Sequence, residues 1–88
     1  MVEKVYTIID PAGLHTHPSA ALVNAATPFK SEVLLEYQDK QVNLKSIMGI
    51  MSLGIPNGAT FKIIAKGDDS DQVFVSLHDV IEKEGLAR

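Results

Sequence analysis

Residues 60–66 read Thr60-Phe61-Lys62-Ile63-Ile64-Ala65-Lys66, and their alternation decides the fold class. Phe61, Ile63 and Ala65 fall on one side of an extended chain and Thr60, Lys62, Ile64 and Lys66 on the other, the pattern of a sheet with one packed and one solvated face. Any helices then belong on the packed face. After Gly67-Asp68-Asp69 the period changes, and Val73, Phe74, Leu77, Val80 and Ile81 recur at helical spacing with acids early and Gly85 near the end. Toward the N-terminus, Glu32–Tyr37 sets Val33, Leu35 and Tyr37 on one face, and Gln41–Leu44 follows Gln38-Asp39-Lys40 as the returning arm of a hairpin. Val2–Ile9 is a further strand, closed by the loop Asp10-Pro11-Ala12-Gly13. His17–Ala26 carries Leu22, Ala25 and Ala26 at helical spacing, continued by Phe29, with Pro28 as its stop. Ser46–Gly54 reads as a short helix capped by Ser46. The order βαββαβα predicts an α+β open-faced sandwich: a four-stranded, mainly antiparallel sheet with three helices on one face.

At 88 residues, 45% of them hydrophobic, the chain suits one domain over 1–88 with a single core. A formal charge of −3 argues against direct nucleic-acid binding, which shows as a basic stripe, and leaves proteins as the expected partners. There is no cysteine, hence no disulfide or thiolate chemistry. No apolar run reaches the length of a membrane span, and the first residues alternate like a strand instead of forming a signal sequence. The expectation is a cytoplasmic protein.

Gly13-Leu14-His15-Thr16-His17-Pro18-Ser19-Ala20 places an imidazole on the turn that feeds an uncharged helix. Pro18 fits a first turn, where its missing N–H breaks no intrahelical bond, so the helix is expected to begin around Thr16. The free amides of that turn and the positive end of the helix dipole disfavour imidazolium and favour an anion, the conditions under which a histidine can act as nucleophile and then hold phosphate. The same residues also suit an ordinary polar turn.

A second unusual stretch is Ser46-Ile47-Met48-Gly49-Ile50-Met51-Ser52-Leu53-Gly54. A two-turn surface helix buries one stripe, and five large apolar residues cover more than that stripe. With Ile50 and Leu53 on the sheet, Ile47, Met48 and Met51 form an outward patch, and flexible methionines suit a surface that accepts several partners. Burial by a neighbouring loop or by a second copy accommodates the same pattern.

Both stretches carry a resemblance. GLHTHPSA resembles the active-site segment of the histidine-containing phosphocarrier (HPr) family of the phosphoenolpyruvate-dependent sugar phosphotransferase system. Val42–Ile55 resembles the regulatory segment of the family's low-GC Gram-positive members, and Lys83-Glu84-Gly85-Leu86 their C-terminal end. The resemblance implies that His15 accepts a phosphoryl group on Nδ1 from phosphorylated enzyme I and passes it to the IIA units of sugar transporters. Such a carrier turns nothing over itself and calls for no cofactor or metal. Amides of Thr16 and His17 are implied to bind the phosphoryl oxygens, and Ala20, Asn24, Ile47, Met48 and Met51 to form the docking surface. Ser46 is implied to be the substrate of HPr kinase/phosphorylase, its phosphorylated form serving a catabolite control repressor; by residue type alone Ser46 is simply a helix cap. A monomer follows from a carrier's need to keep its one functional face free.

The family pattern reads GLHARP or GIHARP, so this chain has Thr16 for alanine and His17 for arginine. A histidine supplies neither a permanent charge nor a five-donor fork. That departure keeps open a regulator acting through Ser46 with impaired phosphotransfer. A metal module on His15 and His17 lacks further ligands, since the only other histidine is His78. A plain interaction domain is a third alternative.

Overall fold

A computed structural model describes residues 1–88. The elements run β1 (Val2–Thr7), α1 (Thr16–Ala26), β2 (Glu32–Tyr37), β3 (Lys40–Asn43), α2 (Ile47–Met51), β4 (Thr60–Lys66) and α3 (Ser70–Lys83). The strands form one four-stranded sheet in the order β1-β4-β2-β3. Every pairing is antiparallel, so the sheet expected to be mainly antiparallel is wholly so. The architecture is the α+β open-faced sandwich with three helices that the sequence predicts.

The core lies between the sheet and the helices. β4 contributes Phe61, Ile63 and Ala65, β2 contributes Val33 and Leu35, and these meet Leu22 and Ala26 of α1 and Val73, Phe74, Leu77 and Ile81 of α3. Tyr6 of β1 stacks on Phe61 with ring centroids 5.7 Å apart. Its hydroxyl is buried without a partner, and burial raises its pKa. Ile64 departs from the expected alternation, since it points to the outer face yet is buried. β4 is an inner strand, and Ile64 is flanked by Glu3 on β1 and Leu34 on β2, whose side chains stand beside it on the same surface.

Boundaries differ in three places. β1 stops at Thr7 instead of Ile9, because the chain beyond it takes a different partner: Ile8 bridges Ala87 and Ile9 donates to Leu86, while Thr7, still opposite Thr60, also exchanges backbone bonds with Arg88. β3 is Lys40–Asn43, one residue earlier than expected. The connection is a two-residue turn in which Gln38 and Asp39 both have positive φ, so Tyr37 pairs directly with Lys40. α2 ends at Met51 instead of running through the expected stretch to Gly54. Leu53 still packs against the core, as its amide donates to Ile50 in a closing turn.

Two ties fix the loops around the sheet. The Asp69 carboxylate accepts from the amides of Lys30 and Ser31 and from the Ser31 hydroxyl, joining the α1–β2 loop to the start of α3. These bonds, the Ser31 hydroxyl first, hold its pKa below the ordinary aspartate value. Gly13, at φ +73°, brings the loop after β1 against the α2–β4 loop, where a Cβ would lie 2.6 Å from the Ile55 carbonyl. Leu14 donates to that carbonyl at 2.9 Å. No helix is long and apolar enough to cross a membrane.

Candidate functional site

His15 is the N-cap of α1, with extended backbone (φ −89°, ψ −173°), and the helix begins at Thr16 as the proline position predicts. Its carbonyl is saturated by Ser19, whose amide donates at 3.1 Å and whose hydroxyl donates at 2.7 Å. Pro18 has no N–H, and the amides of Thr16 and His17 have no intrahelical acceptor. Two free donors therefore stand at the helix start beside an imidazole that is 42% exposed. No acidic residue occupies the first turn of α1.

The loop before the helix supplies a partner that the sequence reading took only as part of a turn. Asp10 Oδ2 lies 3.3 Å from His15 Nε2, while its Oδ1 accepts the Ala12 amide at 2.9 Å. The Asp10 carboxyl is held below the ordinary aspartate range, by the Ala12 amide first, against the raising effect of burial, and further by the hydrogen bond and charge of His15. A carboxylate five residues before the histidine, in a loop closed by a glycine, was the available signal.

His17 does not turn to His15. Its Nε2 lies 2.7 Å from Glu84 Oε1, at the C-cap of α3, so the side chain expected beside the phosphoryl group has a carboxylate for its ion-pair partner. Sequence separation hid this contact, which depends on how α1 and α3 pack. Thr16 is exposed, Ala20 half-buried and Asn24 exposed.

α2 lies against α1. Ser46 caps it, accepting the Gly49 amide on Oγ at 3.1 Å. Ile50 is buried, whereas Ile47, Met48 and Met51 are 39%, 84% and 37% exposed. Met51 joins this patch to the start of α1, its sulfur 3.4 Å from the Ser19 hydroxyl that also serves the His15 carbonyl. Ser19, fully buried, is thus one residue through which the two stretches meet. None of the three surface cavities includes His15 or any residue of α2, so this region is an open face and not a cleft. His78 is elsewhere, paired with Glu82 at 3.1 Å, and no three His, Asp or Glu side chains converge as a metal site would require.

The arrangement offers an accessible imidazole, amide donors for an anion and a modest exposed apolar patch on α2. Residues 2–83 match the family described as PTS HPr component, phosphorylation site. Among solved structures, the histidine-containing phosphocarrier protein of Mycoplasma is 32% identical, with 99% of each chain covered and a TM-score of 0.95. HPr of Thermoanaerobacter tengcongensis is 43% identical over 96% of this chain and 94% of its own, with a TM-score of 0.88. Crh of Bacillus subtilis, a catabolite repression protein solved as an intertwined, swapped dimer, is 39% identical over 85% of this chain and 86% of its own, with a TM-score of 0.72.

Proposed function

The chain belongs to the PTS HPr family, and we propose on that premise that it is a phosphocarrier whose acceptor is His15. The observation that carries this reading is the placement of an exposed imidazole at the N-cap of α1, beside free amides, in a helix start that Ser19 joins to Met51 of the apolar α2 patch. The phosphoryl group comes from phosphorylated enzyme I and goes to IIA units of sugar transporters. Thr16 and His17 contribute their backbone amides to the phosphoryl oxygens, donors already aimed by the helix and needing no reorganisation. Ala20, Asn24, Ile47, Met48 and Met51 form the face on which successive partners dock. Such a face suits partners that must leave quickly, since small interfaces give weak, short-lived complexes. The unit is residues 1–88 acting as a monomer in the cytoplasm.

Ser46 is the second phosphorylation site in this proposal, modified by HPr kinase/phosphorylase and read by a catabolite control repressor. Its N-cap position supports the reading, because added negative charge at a helix start is tolerated by the dipole while the docking surface beside it changes. The likeness to Crh favours a variant of it, in which this chain serves catabolite repression through Ser46 and transfers phosphate poorly.

Incubation with phosphoenolpyruvate and enzyme I, and separately with ATP and the kinase, tests both. Acid-labile label lost in His15→Ala and kept in His17→Ala and His78→Ala supports the carrier. Undiminished label in His15→Ala ends that reading. Acid-stable label on Ser46 without label on His15 leaves the regulator alone.

A further inference from the structure

We propose that Asp10 is a positioning residue that holds His15 as the Nε2–H tautomer, leaving the Nδ1 lone pair as the nucleophile. The inference rests on the acceptor reading of His15 and deepens it. A carboxylate can only accept, so the 3.3 Å contact between Asp10 Oδ2 and His15 Nε2 puts the ring proton on Nε2. In a neutral ring Nδ1 is then unprotonated. The carboxylate is itself fixed: Oδ1 accepts the Ala12 amide at 2.9 Å, and the Asp10 backbone donates to Leu86 at 3.1 Å and accepts from Gly13 at 2.9 Å and from Asn57 Nδ2 at 3.2 Å. So many anchors on one loop residue make Asp10 a rigid reference for the ring. Its depressed pKa keeps it ionised throughout the neutral range.

The balance of the transfer shows what the carboxylate adds. The Nδ1 lone pair forms the new N–P bond as the donor's own bond to phosphorus breaks, and that electron pair returns to the donor. The His15 ring gains a positive charge while Nε2 keeps its proton. Asp10 faces that nitrogen, so its charge opposes the one that develops, in a geometry set before the reaction starts. Onward transfer reverses the steps.

Long-range proton–nitrogen NMR on the unphosphorylated protein at pH 8 reads the tautomer directly, with His17 and His78 as internal references. Wild type is expected to show His15 protonated on Nε2 and unprotonated on Nδ1. Asp10→Ala is expected to raise the Nδ1–H population several-fold and slow labelling by enzyme I by roughly ten-fold, the usual scale for losing a histidine's orienting partner. Asp10→Asn is the sharper variant. Its carbonyl keeps the Ala12 amide and the loop, while its NH2 faces Nε2 as a donor and is expected to reverse the tautomer. Wild-type tautomer in both variants, or a shifted tautomer with unchanged labelling rate, overturns the proposal. Failure of enzyme I to label wild type defeats the carrier reading instead, and the tautomer measurement, which needs no phosphorylation, still decides what Asp10 does.

Discussion

His17 stands at the start of α1 with its Nε2 2.7 Å from Glu84, and the two residues set the local charge together. An imidazole is charged only when protonated, whereas a guanidinium is charged at every working pH. We therefore predict that His17→Arg raises the rate of phosphoryl transfer to His15, or the lifetime of the phosphorylated form, more at pH 8 than at pH 6. An equal effect at both pH values would show that residue 17 acts by shape or partner contact. At this scale the sequence marked His15, His17 and Ser46, whose residue types and places at helix starts are local facts. It left Asp10 and Glu84 unmarked as partners of the two histidines: Asp10 offers only its spacing, in a loop that returns on itself, and Glu84 reaches His17 only through the packing of α3 against α1.

α2 has five residues, too few to be helical by propensity alone, and its cap contributes a correspondingly large share of its order. Ser46→Ala removes the acceptor for the Gly49 amide and is expected to cost about 1 kcal/mol, seen as a lowered denaturation midpoint. Aspartate is as good a cap as serine, so Ser46→Asp is expected to melt cooperatively near wild type yet to be labelled several-fold more slowly by enzyme I, through charge placed beside Ile47 and Met48. Wild-type labelling in that variant would show that charge at position 46 leaves docking alone. Element types were legible because a period of two and a period of 3.6 separate strands from helices within a few residues. Element ends were not, for reasons that are tertiary. Ile9 reads as strand but turns to Leu86, and Ile64 reads as solvated but lies between Glu3 and Leu34 on an inner strand.

Across the whole molecule, Asp69 ties segments that are distant in sequence, and its depressed pKa makes that tie depend on pH. A carboxylate that titrates lower in the folded state stabilises fully above its ordinary value of about 3.8, and the stabilisation is lost as pH falls through the depressed folded value. Asp69→Ala is expected to melt below wild type at neutral pH, with the two midpoints converging in acid; a constant gap down to pH 2 would show that its contribution is not ionic. Asp10 acts in the same direction, so the variant keeps part of the acid sensitivity. The strand order has a different consequence, which concerns synthesis. Among the strands β1 pairs only with β4, Val2 against Ala65 and Thr7 against Thr60, so during synthesis β1 must wait until β4 has been made and released before it has a partner strand. The β2–β3 hairpin, by contrast, can close as soon as it emerges. We predict that nascent chains stalled with β4 still in the exit tunnel show no hydrogen-exchange protection in residues 2–7, and that protection there appears only once β4 is released. The sheet is therefore completed only after β4 has emerged, and until then β1 is an unpaired strand exposed to the wrong partner.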